Sequence, residues 1–254
     1  MRKGLGIACL ALVACLAAVG VARAQIPQLP QIPTLSIGVS EAEDPEQVAL
    51  VLKIVILMTV LSLAPAILIT LTSFARIVIV FGFLKQALGT GQMPPNQILI
   101  ALALFLTFAI MGPVFRDIQT NAVEPFMSEQ IDQNEAFDRA ARPLHGFMLS
   151  QVREKDLELF LTIVHETPPA KAEDLSLRVL VPAFLTSELK TAFQIGFLLY
   201  IPFIVVDLVV ASTLMSMGMM MLPPVFVSLP FKLLLFVLVD GWQLVVGSVV
   251  KSFG

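Results

Sequence analysis

The chain has 254 residues, 57% hydrophobic and only 14% charged, where a soluble domain carries about half and about a quarter. With 16 Lys and Arg against 19 Asp and Glu the formal charge is −3, which excludes a basic phosphate-neutralising surface, so no nucleic-acid partner is expected. The 18 Phe beside one Trp and one Tyr suit apolar packing in lipid better than a cofactor-binding soluble enzyme, and no cofactor is expected.

Arg2 and Lys3 precede an uncharged stretch from Gly4 to Ala22, and Ala22-Arg23-Ala24 stands before a Pro-rich segment. This order reads as a cleavable signal peptide over residues 1–24, cut after Ala24. The rival lipoprotein box, Leu12-Val13-Ala14-Cys15, is followed by more of the same apolar run. Cleavage removes Cys9 and Cys15, and it removes three of the 16 basic residues but none of the 19 acidic ones, taking the charge from −3 to −6. Residues 25–46 are Pro-rich and then acidic, with no apolar face, and read as a flexible extracytoplasmic arm.

The first helical hairpin is expected over 47–115. Val48 to Leu88 is apolar apart from Lys53, Arg76 and Lys85. As one helix its 41 residues extend about 61 Å, twice a hydrocarbon layer, so Pro65 is expected to kink it. The breakers around Pro94 and Pro95 end it, and Asn96 is placed to cap the return helix.

Residues 116–181 hold 12 acidic and 7 basic side chains and both histidines, which marks a soluble helical insert. Pro143 is expected to open one of its helices and Pro168-Pro169 to close another. The second hairpin is expected over 182–254. It is expected to consist of a long helix capped by Thr186 or Ser187 and bent around Gly196 and Pro202, with a separate turn at Asp207 as the alternative, then a break at Pro223 and Pro224 and a run from Val225 to Phe253. The fold class is therefore an all-α membrane protein: two long kinked hairpins with a small helical extracytoplasmic insert. By the positive-inside rule Arg76 and Lys85 place the first tip in the cytoplasm, and the acidic arm and insert lie in the periplasm.

His145 and His165 are too few and too far apart in sequence for a zinc site, and read as solvated surface residues. Asp207 and Asp240 could form an aspartyl dyad of an intramembrane enzyme, yet their flanks lack the Gly-x-Gly-Asp context of such proteases. A more economical reading pairs Glu188, Lys190, Asp207, Lys232 and Asp240 across helices or subunits, because an unpaired charge at mid-bilayer costs roughly 2.5 to 3.5 kcal/mol on insertion scales. Five of the 11 methionines, Met215, Met217, Met219, Met220 and Met221, lie within seven residues around Gly218. Unbranched thioethers repack around changing apolar shapes, which suits a deformable seal. Core packing and a copper(I) site of a Met-rich metal transporter are the alternatives.

Ser73-Phe74-Ala75-Arg76-Ile77-Val78-Ile79-Val80-Phe81, Ala87-Leu88-Gly89-Thr90, Pro94-Pro95-Asn96-Gln97 and Ala103-Leu104-Phe105-Leu106-Thr107-Phe108 resemble the FliP family of flagellar export proteins. So do Glu188-Leu189-Lys190-Thr191-Ala192-Phe193-Gln194-Ile195-Gly196-Phe197, Met217 to Met221, Pro230-Phe231-Lys232 and Asp240-Gly241-Trp242. The resemblance implies a non-enzymatic, pore-forming subunit of the type III export gate in the bacterial inner membrane, at the flagellar basal body. It implies a conical homo-oligomer, a pentameric ring, assembled with FliQ, FliR and other gate components around a path for unfolded flagellar proteins. It further implies that Met219, Met220 and Met221 form a gasket, supported by Met215, Met217 and Gly218. No Gly-rich phosphate loop is present for the chain to use ATP itself.

Overall fold

The computed structural model describes residues 45–219 and 221–254. The expected signal peptide with its cleavage after Ala24, the arm up to residue 44, and Met220 lie outside the described residues. Contacts divide the chain after Val55. Of the first unit, Pro45–Val55 are described and helical; they open α1 (Pro45–Leu71).

The second unit, Ile56–Gly254, is helical throughout its regular elements, with no strand among the described residues. After α1 come α2 (Phe74–Leu88), α3 (Asn96–Ile110) and α4 (Gly112–Ile118). A π turn at Gln119–Val123 leads to α5 (Glu124–Met127). Then follow α6 (Gln133–Gln151), α7 (Glu154–Val164), a 3-10 turn at Ala172–Asp174, α8 (Leu177–Ser216), α9 (Pro224–Leu238) and α10 (Gly241–Lys251).

Two cores organise the unit. In α2, Ile77, Val80, Phe81, Leu84 and Leu88 recur at helical spacing and are buried against Leu99 and Ala103 of α3, Ala192 and Phe203 of α8, Phe236 of α9, and Val245 and Val249 of α10, the apolar stripe of an amphipathic helix. The closest approach is at Gly196, where a Cβ would stand 2.5 Å from the Phe83 ring; the missing side chain lets α2 lie against α8. A second core joins Met148 of α6, Leu161 of α7 and Val179, Leu180 and Phe184 at the start of α8.

Helix starts depart from the sequence expectations in three places. Pro143 lies inside α6, whose start is set by Asp132: its Oδ1 accepts the Glu135 amide at 2.8 Å, an N-cap bond. Asn96 is the first residue of α3, not its cap, and its side chain accepts from Lys85 Nζ at 2.6 Å. Helix α8 starts at Leu177, so Thr186 and Ser187 sit within it. Pro182 is accommodated there near the helix start, where it removes a single intrahelical donor.

The run from Val225 to Phe253 is broken at Asp240, a left-handed residue (φ 51°), and α9 and α10 meet at 65°. Gly241 is needed at this corner because the Phe236 ring fills the place of a Cβ. By length and composition, α8 is the one described helix able to cross a membrane alone. Two bent pairs could cross as units, α3 with Gly112–Met127 (58°) and α9 with α10. At 40 residues α8 extends about 60 Å, and only 11% of its most apolar window is buried within the chain.

Candidate functional site

Charged residues inside an apolar bundle need partners, and the structure supplies two polar nodes. The first is centred on Arg76 of α2, which is 2% exposed, and Glu188 of α8, which is fully buried. Arg76 Nε donates to Glu188 Oε2 at 2.9 Å, and Nη2 donates to Glu188 Oε1, a two-pronged guanidinium–carboxylate pair. Nη1 donates to the Ser252 carbonyl at 2.7 Å and to its Oγ at 2.9 Å, and Nη2 also reaches Gln151 Oε1 at 3.1 Å. These five contacts match the five N–H groups of a guanidinium. The Phe253 ring closes the node from another side, 3.8 Å from the Arg76 Cζ, a cation–π contact.

Arg76 is therefore an interior residue, and the topology expectation that used it as a tip charge loses one of its two cations. Its pairing with Glu188 joins residues 112 positions apart, which no local pattern reveals. The neighbouring Ser187 Oγ donates to Asp156 Oδ2 at 2.7 Å and accepts the Arg153 amide at 3.0 Å, tying the start of α7 to α8.

The second node joins α8 to α9. Lys232 Nζ lies 2.6 Å from Asp207 Oδ2, and Ser228 Oγ donates to Asp207 Oδ1 at 2.5 Å. The Lys232 side chain is 4% exposed and that of Asp207 31%. Lys232 Nζ also lies 3.6 Å from where a Cβ of Gly89 would stand, beside the C-terminal end of α2, where the helix dipole favours a cation. Lys232 of α9 thus stands against both α8 and the end of α2.

Of the remaining expected interhelical charges, Lys190 and Asp240 are exposed, and neither forms an ion pair among the described residues. Asp207 is held by Lys232 and Ser228 while Asp240 sits at the α9–α10 corner, so the two carboxylates do not form a shared site. His145 Nε2 bonds the Leu175 carbonyl at 2.9 Å and is half-buried. His165 occupies the left-handed position (φ 59°) that ends α7, with the Glu166 amide bonding the Leu161 carbonyl at 3.1 Å. Among the described residues no group of three or more His, Cys, Asp or Glu is arranged to hold a metal ion.

The methionine segment forms the turn between α8 and α9. The Met219 amide bonds the Leu214 carbonyl and the Gly218 amide bonds the Met215 carbonyl, both at 3.0 Å. With Gly218 at φ 74°, this is a Schellman ending, which needs a residue at ease in the left-handed region. The turn leaves Met215, Met217, Met219 and Met221 exposed, the last at 98%. Pro223 caps α9 and Pro224 is its first residue. Thr213 and Ser216 return their hydroxyls to backbone carbonyls of their own helix, so the tip presents carbon and sulfur outward. Pro94 and Pro95 stand between α2 and α3, at the corresponding turn of the first pair.

Over the described residues, these features define a helical protein of membrane type, with ion pairs between its helices and a thioether-rich turn. Residues 57–249 match the FliP family. The chain is 54% identical over 217 residues to the flagellar biosynthetic protein FliP of Bacillus subtilis, covering 85% of this chain and 98% of that one. It is 57% identical over 203 residues to the FliP of Caulobacter vibrioides, covering 80% and 76%. To the FliP of Aquifex aeolicus it is 49% identical over 224 residues, covering 87% and 92%. The chain belongs to the FliP family.

Proposed function

We propose that this chain is a pore-forming, non-catalytic subunit of the flagellar type III export gate, conducting unfolded flagellar proteins across the bacterial inner membrane. Copies assemble into a conical ring, pentameric by family resemblance, with FliQ and FliR, at the flagellar basal body. The mature N-terminus and the 116–181 insert face the periplasm, and the hairpins 47–115 and 182–254 form the wall. The 182–254 hairpin carries the closing element: Met219, Met220 and Met221 meet their counterparts from other copies as a gasket, with Met215, Met217 and Gly218 in support. Glu188, Lys190, Asp207, Lys232 and Asp240 specify how helices and subunits fit.

The observation that carries this reading is the Gly218 turn, which ends α8 with the thioethers outward and the local hydroxyls turned back on their own helix. A flexible, polarisable, uncharged tip can conform to its equivalents and to a passing chain. The test replaces Met219, Met220 and Met221 together by Ala in the assembled complex. Ring assembly is expected to persist while small ions leak through the closed gate; an assembled triple variant that stays tight removes the gasket.

A further inference from the structure

Sorted by depth in the bundle, the charges of the apolar helices leave one cation and one anion over. From Phe74 to Ile110 and from Leu177 to Lys251 the chain carries nine charged side chains. Arg76 with Glu188 and Lys232 with Asp207 account for four of them. Arg178 opens α8, Lys190 lies two residues past Glu188, and Lys251 precedes the Ser252 that Arg76 bonds, so these three stand at or beyond the first polar node. Lys85 and Asp240 remain. Neither forms an ion pair among the described residues. Lys85 Nζ donates to the neutral Asn96 Oδ1 at 2.6 Å, which satisfies a hydrogen and leaves the charge uncompensated.

The two share a level but not a flank. Leu84 and Gly241, their neighbours in sequence, line one apolar cavity with Leu198 and Leu199 of α8. Phe83 lies against Gly196 of α8, and Lys85, two residues on, stands about 200° further around α2, where it meets Asn96 of α3. Asp240 is exposed at the end of α9, on the flank where α9 packs on α8 and Phe236 meets Phe203. A cation on one flank and an anion on another, at one depth, are the two halves of a head-to-tail contact. Each contact leaves one charge of each copy free for the next, the arrangement that closes into rings. An uncompensated charge among apolar helices is costly, and opposite charges across an interface fix its register.

We propose that Lys85 of one copy pairs with Asp240 of the next, so that the α2–α3 flank of one copy covers the α9–α10 corner of its neighbour. This rests on the assembly reading, in which copies of the chain form a ring, and names the contact by which they do so. Asp240 is left-handed (φ 51°), a conformation that Asp and Asn both tolerate, so Asp240→Asn removes the charge and keeps the corner.

The experiment uses the full chain co-expressed with its partners in membranes. Cys9 and Cys15 are replaced by Ala, and thiols are placed at the exposed neighbours of the two charges by Gln86→Cys and Val239→Cys, which leaves both charges intact. With both thiols in every copy, a short bis-maleimide is expected to give a ladder of covalent multimers ending at the closed ring; either thiol alone is expected to give no ladder. Ring yield after extraction is the second readout. Lys85→Gln and Asp240→Asn are each expected to lower it several-fold, and the double variant no further than the worse single one, because both remove the same contact. A bridge formed only within single copies, or losses that multiply in the double variant, overturns the proposal. A ring that forms without the ladder removes the Lys85–Asp240 contact alone, whereas an unaltered chain that forms no ring removes the assembly reading beneath it.

Discussion

Arg76 is poorly replaced by any other cation. Its planar fork meets Glu188 with two donors while the remaining N–H groups reach Ser252 and Gln151, a geometry that one ammonium cannot reproduce. Glu188→Gln leaves a buried guanidinium without its counter-charge, and breaking a buried pair from one side costs about 3–5 kcal/mol. Denaturant titration of the detergent-solubilised chain is expected to show that loss, with Arg76→Lys milder but not neutral. The Asp207–Lys232 pair predicts an asymmetry. Lys232 is the more deeply enclosed partner, so Asp207→Asn strands an ammonium, whereas Lys232→Met leaves a less enclosed carboxylate that still accepts from Ser228. Asp207→Asn is expected to lower stability more, and the Asp207→Asn/Lys232→Met double variant to recover part of it; strictly additive losses in the same titration would deny the coupling.

Among elements, the corners matter more than the shafts. Gly218 stands at φ 74°, where a β-branched residue costs about 1–2 kcal/mol, so Gly218→Val is expected to fray the end of α8 while Gly218→Asn is tolerated; amide hydrogen exchange over 212–219 reads the difference. Gly241→Ala drives a methyl group into the Phe236 ring and is expected to destabilise the α9–α10 corner, with Phe236→Leu restoring part of the loss. These corners explain which elements were legible in the sequence. Apolar runs and Pro-Pro pairs locate the helices around Pro94–Pro95 and Pro223–Pro224, because breakers act on their own neighbours. The start of α6 is set by the Asp132-x-x-Glu135 spacing, a local signal, and not by Pro143 further along the helix. The Asp240-Gly241 corner left no such trace, since its cause is a ring five residues upstream. The partner of Glu188 was equally hidden: the sequence shows that a charge in an apolar helix needs a counter-charge, and only the packing of α2 on α8 selects Arg76 over Lys190 as its neighbour.

At the scale of the whole described unit, the guanidinium of Arg76 in α2 gathers groups from three other places: Gln151 at the end of α6, Glu188 in α8, and Ser252 with Phe253 beyond α10. Gln151 Nε2 also donates to the Phe253 carbonyl at 3.3 Å. Deleting residues 252–254 takes away both acceptors of Nη1 and the aromatic face, and is expected to destabilise the fold nearly as much as Arg76→Lys, whereas removing three residues from an unengaged tail costs little. Comparative thermal aggregation of the solubilised variants checks this. Ser252 follows Arg76 by 176 residues, so during synthesis the cation of α2 waits until the chain beyond α10 has been made. A polypeptide stopped short of Ser252 would be left with hungry donors at the centre of its fold.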